Sequence, residues 1–256
     1  GGGGRYDLVI LAEGAYGRLR STLGIEAWHE YVIGLNAHYS RGDVEGLIVD
    51  FTPGLHKDLF SWLLTLGGEV LAGTGAPGSV KEYLERVEEA YRLRGRSRMY
   101  GGKVLLGPPL RQLVIGRVVV TGDAGGLTKP LTGGGLYPST RAAWLAYKGI
   151  ESGLDPLEAW TRAVHTVSKE LRRQYRIMGF LRRNTSLMGE VLRALAESGL
   201  DKAVAGRINY DAHHKAVLAA ARSPLPAVRF LLRMARRRPL ETARLAAIVV
   251  SSLVAL

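Results

Sequence analysis

The sequence predicts a mixed α/β (α+β) protein whose C-terminal part is all-helical. Three observations carry that reading. Short β-branched runs are present, one of which ends at Asp123 in a Gly-rich turn that opens a helix. Strand-like segments follow one another between Tyr31 and Thr74, and beyond Gly153 the composition shifts to helix formers. The 256 residues, 46% hydrophobic and 23% charged, suit a folded chain of one large domain or two small ones and exclude a disordered or collagen-like one.

Four glycines precede Tyr6 to Ala12, an apolar run that reads as a strand buried on both faces and stopped by the turn Glu13-Gly14. A strand of that kind normally has earlier neighbours, so a segment upstream is expected. Tyr31 to Phe51 suggests antiparallel strands, and Phe60 to Thr74 a hairpin around Gly67-Gly68. Ser79 is the expected N-cap of a helix with Val80, Tyr83, Leu84, Val87, Ala90 and Tyr91 on one face, closing in the basic run Arg92 to Arg98. Lys103 to Leu106 and Leu113 to Thr121 read as strands, followed by a helix to about Ser152. Further helices are expected over Pro156 to Ser186, Leu187 to Ser198, Asp201 to Ala221 and Pro226 to the end.

Lys and Arg number 35 against 23 Asp and Glu, a net charge of +12, which favours an anionic partner without choosing among nucleic acid, lipid headgroups and phosphorylated substrates. No zinc-finger, RNP-type or helix-turn-helix pattern supports nucleic acid, so none is expected as partner. The absence of Cys excludes disulfides, thiolate metal sites and cysteine nucleophiles within the chain. No signal-peptide pattern opens the sequence, making a cytoplasmic location the expectation. The apolar stretch Leu245 to Leu256 is shorter than the roughly 20 residues of a bilayer span, although it could lie in an interface. The basic amphipathic run Arg229 to Pro239 would suit an anionic membrane surface, which allows a peripheral placement.

The segment richest in chemistry is Val118 to Gly135, VVVTGDAGGLTKPLTGGG. It delivers Asp123 at the carboxyl end of a strand, where open α/β sheets bind ligands and a carboxylate can accept from a sugar hydroxyl. Gly125, Gly126 and Gly133 to Gly135 let backbone approach a flat or anionic ligand, and the last group opens a helix whose free N–H groups favour negative charge.

Gly122-Asp123-Ala124-Gly125-Gly126, followed by Pro130-Leu131-Thr132-Gly133-Gly134-Gly135, resembles the second FAD-binding motif of the geranylgeranyl reductase family within the p-hydroxybenzoate hydroxylase-like superfamily. The resemblance implies that Asp123 binds the ribityl chain and that Gly133, Gly134 and Gly135 lie against the isoalloxazine edge. Upstream, Leu11 to Arg20, LAEGAYGRLR, is similar to the family's Ala-Asp-Gly-x-x-Ser-x-x-Arg motif. Glu13 stands where Asp is usual and Gly17 where Ser is usual. Glu13, Gly14 and Arg20 are thereby implied as cofactor contacts, Arg20 near the pyrophosphate. Phe60 and Trp62 fall in register with the family's aromatic substrate-site motif, while Leu64 and Thr65 replace its Phe-Pro pair.

The resemblance implies a partial FAD-binding Rossmann-like domain (residues 1–30 and 98–152), an antiparallel substrate-binding region with one helix (31–97) and a helical region (153–256). It implies an FAD-dependent oxidoreductase that reduces prenyl double bonds of an isoprenoid lipid of archaeal type. A monooxygenase or quinone-linked dehydrogenase of the same fold, and a non-catalytic membrane-associated relative, stay open as alternatives. The family's Gly-x-Gly-x-x-Gly turn is not found in residues 1–30, so the chain is expected to be truncated, split or completed by a second chain that supplies that segment, and FAD binding by this chain alone is expected to be poor. No metal site is expected, because the adjacent His213 and His214 beside Asp211 and Asn209 point about 100° apart on a helix. No catalytic proton donor is assigned.

Overall fold

The computed structural model describes residues 4–25, 30–130, 132–205 and 222–254. The chain divides into two compact units, Gly1–Gly135 and Leu136–Leu256. The helix that follows the Gly-rich run therefore belongs with the C-terminal helices, not with 98–152.

The first unit holds two sheets. In the smaller, β1 (Val9–Leu11) runs parallel to β8 (Val118–Val120), and β8 pairs antiparallel with β7 (Val114–Ile115). The strand expected over Leu113 to Thr121 is thus a hairpin, because Gly116 at φ 56 turns the chain back on itself. Val119 and Val120 are fully buried, whereas Val9 and Ile10 on the edge strand are 40% and 42% exposed. The expectation that β1 is covered on both faces does not hold among the described residues, since successive side chains point to opposite faces and both Val9 and Ile10 are exposed.

The larger sheet has the order β3-β4-β5-β2-β6, from β2 (Tyr31–Arg41), β3 (Leu47–Asp50), β4 (Ser61–Leu66), β5 (Glu69–Ala76) and β6 (Arg94–Leu105), all antiparallel. The hairpin at Gly67-Gly68 is present, both glycines having positive φ. The strand expected at Lys103 begins instead at Arg94, and the arginines read as a helix end pair with β2 from Arg41 onward. Their charge is no obstacle on an edge strand, where long cationic side chains reach solvent and discourage further pairing.

Helix α2 (Val80–Ala90) covers one face of this sheet. Leu84 and Val87 pack with Ala37, Tyr39, Leu63, Val70, Ala72 and Leu93, each large side chain contributing roughly 1.5–3 kcal/mol by burial. Glu88 holds the same face by accepting from the Tyr39 hydroxyl at 2.7 Å and from Arg96 at 2.8 Å. Ser79 does precede this helix, but its hydroxyl donates to the Glu82 carboxylate at 2.9 Å instead of accepting from a backbone N–H.

The second unit is helical. Helices α3 (Leu136–Glu151) and α4 (Pro156–Arg183) pack through Ala142, Ala146, Ala159 and Ala163. Asp155 caps α4 by accepting from the N–H groups of Leu157 and Glu158, with Pro156 in the first turn. The break expected after Ser186 lies at Asn184, before α5 (Thr185–Ser198). Helix α6 covers Leu200–Ala205; most of the helix expected to Ala221, with Asn209, Asp211, His213 and His214, lies outside the described residues. The single helix expected from Pro226 is two, α7 (Pro224–Arg237) and α8 (Pro239–Val254). Pro239 separates them, lacking the N–H that would continue α7. Among the described residues no helix is long and apolar enough to cross a membrane.

Candidate functional site

Two turns converge in the first unit, at the carboxyl ends of the parallel strands β1 and β8. After β1 the chain turns through Gly14 at φ 81 and Gly17 at φ 60 into α1 (Arg18–Thr22). The Glu13 carboxylate reaches over this turn and accepts from the backbone N–H of Leu19 at 2.7 Å and of Arg20 at 2.6 Å, occupying the free donors of the helix start. Gly17 stands where the motif has Ser for a geometric reason. Its φ is left-handed, and a Cβ there would sit 2.7 Å from the Arg20 guanidinium.

Arg20 is only 3% exposed. Its Nη1 donates to the Ala124 carbonyl at 3.0 Å, tying the first motif to the second across more than a hundred residues. Burial lowers the guanidinium's pKa from its ordinary value, partly offset by Glu13. Lys103 on β6 joins the neighbourhood. Its Nζ lies 4.1 Å from the Tyr31 ring centre, and its pKa is lowered by burial and then by the charge of Arg20.

After β8 comes a 3-10 turn, Gly122–Gly125, followed by Gly126 in the left-handed region. Thr121 N–H donates to the Leu11 carbonyl, Leu110 N–H to that of Gly125, and Lys129 N–H to that of Gly134. Thr128 anchors the loop by donating to the Leu105 carbonyl at 2.9 Å, and Pro130 is buried. The glycines have distinct reasons. A Cβ on Gly125 would lie 2.9 Å from Leu113, and one on Gly133, at φ 66, would collide with Val104. A Cβ on Gly135 would fall well inside 3.0 Å of the Asp123 carboxylate. Burial raises the Asp123 pKa, and no hydrogen bond to its carboxylate is found among the described residues. The loop thus presents a desolvated acceptor beside bare glycine backbone. That arrangement fits a polyol chain, whose hydroxyls would donate to the carboxylate, with a flat ring next to it, the combination FAD offers. Leu131 lies outside the described residues.

Phe60 and Trp62 sit on the sheet face opposite α2, on and just before β4. Trp62 lies flat on Gly73, whose Cβ would be 2.5 Å from the indole, and donates from Nε1 to Asn36 Oδ1 at 2.8 Å. Phe60 meets Trp62 edge-on at 5.8 Å and Phe51 at 5.6 Å. Both pack beside Val32, Leu59, Val104 and Leu106. Since Val104 also borders Gly133, this apolar wall adjoins the Gly-rich loop. Sequence reasoning did not find Asn36, Lys103 or Thr128, which no local spacing marks. Gly73 did carry a signal, because glycine inside a strand often records the close approach of another group.

Comparison with protein-family models gives no match. The chain is 24% identical over 160 residues to the chloroplastic geranylgeranyl diphosphate reductase of Oryza sativa subsp. japonica, covering 57% of this chain and 34% of that protein. It is 22% identical over 159 residues to the geranylgeranyl diphosphate reductase of Synechocystis sp. (strain ATCC 27184 / PCC 6803 / Kazusa), covering 57% and 39%. It therefore spans little more than a third of the length of these curated relatives. Among solved structures, a geranylgeranyl bacteriochlorophyll reductase-like protein of Thermoplasma acidophilum superposes with a TM-score of 0.62 at 16% identity, covering 95% of this chain and 62% of that one. A flavin-dependent tryptophan C-6 halogenase of taromycin biosynthesis gives 0.52 at 13% identity, covering 96% and 58%. Over part of its length the chain is thus similar in sequence to geranylgeranyl diphosphate reductases, and its fold is that of FAD-dependent flavoproteins.

Proposed function

We propose that this chain is the flavin- and substrate-facing part of an FAD-dependent reductase that saturates prenyl double bonds of an isoprenoid lipid of the archaeal ether type. The observation that carries the reading is the Asp123–Gly135 pair, a desolvated carboxylate beside backbone that tolerates no side chain. When bound, reduced FAD supplies a hydride to one alkene carbon, and the other carbon takes a proton. Asp123 would accept from the ribityl hydroxyls and fix the ring's position. Gly133 to Gly135 would let backbone lie against the ring edge and oppose developing negative charge there. Glu13 and Arg20 act on the fold of the site, one capping α1 and the other bracing the Ala124 turn. The wall of Phe60, Trp62, Val32 and Val104 offers a water-poor surface for a prenyl chain. Residues outside the chain, on the same or a second polypeptide, would hold the ADP half of the cofactor.

The test is the visible spectrum of the protein purified from its native source or co-produced with its genomic neighbour. Two-band flavin absorbance that disappears in Asp123→Ala, together with a gain of two hydrogens per double bond in an isoprenoid substrate, supports the reading. A folded protein without flavin under both conditions refutes it. Flavin with hydroxylation of an aromatic substrate and no prenyl reduction moves the chain to a monooxygenase of the same fold.

A further inference from the structure

Helix α7 has two apolar faces, and only one is used by the fold. On the inner face Met234 is fully buried, and Ala227 and Phe230 pack against Leu200 and Val204 of α6. Beside that face, Arg233 and Arg237 pair with Glu197 and Glu190 of α5 at 3.1 to 3.3 Å. Half of the helix's cations are therefore neutralised within the unit. The opposite face carries Leu225, Val228 and Leu232, at the i, i+3, i+7 spacing of a single stripe. These side chains are 65%, 53% and 56% exposed.

Arg229 and Arg236 fall along the same stripe, both exposed, and neither makes an ion pair among the described residues. No acidic residue occurs anywhere in α7. Helix α8 repeats the pattern, with Leu240, Ala243, Ala247 and Val250 exposed on one side and Arg244 among them. Its one acid, Glu241, pairs with Arg238.

We infer that the outer face of α7, with the exposed stripe of α8 as a second contact, docks the protein on an anionic lipid bilayer. An ordinary solvated face mixes both signs of charge and few large apolar groups. Here three large aliphatic side chains stand in water beside cations with no acidic neighbour on the helix, in a chain of net charge +12. That combination matches a helix lying in the interface plane. The aliphatic groups enter the acyl boundary while the arginines, whose stems follow them inward, keep their guanidinium groups among lipid phosphates. Helix α7 is too short to span, so the contact is peripheral. The inference does not depend on the flavin reading.

Sedimentation of the full chain with large vesicles decides it, using pure phosphatidylcholine and an equimolar mixture of phosphatidylcholine and phosphatidylglycerol. Binding to the mixed vesicles that weakens with salt, and little to the neutral ones, is expected. Arg229→Gln with Arg236→Gln weakens it about 30-fold, from roughly 1 kcal/mol per cation at an anionic surface. Leu225→Ser with Val228→Ser and Leu232→Ser abolishes it while the circular dichroism stays unchanged, since these side chains leave the inner packing intact. Equal binding by both variants, or no binding by the folded wild type at low salt, overturns the inference. So does a dimer in analytical ultracentrifugation that the serine variant dissociates, which would assign the face to a second copy.

Discussion

Gly135→Ala separates the site from the fold more cleanly than any other single change. Gly135 is not in a left-handed conformation, so alanine meets no backbone strain there. The new methyl group would nevertheless lie well inside 3.0 Å of Asp123 Oδ1, whereas ordinary contact begins at 3.4 Å, and its other neighbour, Thr128 Cγ2, is already at 3.5 Å. The carboxylate must retreat by about 1 Å, enough to turn a normal hydrogen bond into none. Losing one bond to a charged acceptor weakens flavin binding by about 1.5–3 kcal/mol, or roughly 10- to 150-fold. The assay is flavin fluorescence titration of the protein purified from its native source, with a urea melt of the same sample. Weakened flavin binding at unchanged stability is the expected result. Unchanged affinity in a folded variant would refute the placement of Asp123 against the cofactor.

Other changes test the parts around it. Arg20→Met removes the donor to the Ala124 carbonyl and should cost about 1–3 kcal/mol in urea unfolding, the penalty of a buried acceptor left bare. Asp123→Asn should do the opposite to the cofactor-free protein. Because burial raises the folded-state pKa of Asp123, its contribution is most favourable below the unfolded value and is lost as pH rises through the folded one. The asparagine variant should therefore melt higher than wild type at neutral pH, with the gap closing toward pH ~4, while binding flavin more weakly. In the larger sheet, Tyr91 donates to Asp50 at 2.7 Å, and burial plus that bond push the Tyr91 hydroxyl up to about 12. Burial works against the Asp50 carboxylate, but bonds from Thr52 and Tyr91 win and hold it below its ordinary value. Its stabilisation is present above the unfolded pKa and lost as pH falls through the folded one. Tyr91→Phe should cost about 1–2 kcal/mol at neutral pH and little in acid, read from melts across that range.

Elements whose signal is local are readable from the residues alone. The β-branched runs of β1 and β8, the Gly67-Gly68 hairpin, the period of α2 and the helical C-terminal region are properties of neighbouring residues, and each lies close to where the pattern put it. The placing of Asp123 and its glycines in one turn was legible for the same reason, because strand, turn and helix start follow one another between Val118 and Leu136.

Partnership at a distance, by contrast, emerges once the chain is folded. Arg94 to Arg98 look like a basic helix end until β2 supplies their strand partner. Arg20 is implied by its motif as a cofactor contact, while its bond to the Ala124 carbonyl, 104 positions away, is marked by nothing local. The arginines of α7 are equivalent in sequence, yet α5 neutralises Arg233 and Arg237 and leaves Arg229 and Arg236 to solvent. In each case a charged side chain is indifferent to local conformation, and its role is set by whichever acceptor the fold brings to it.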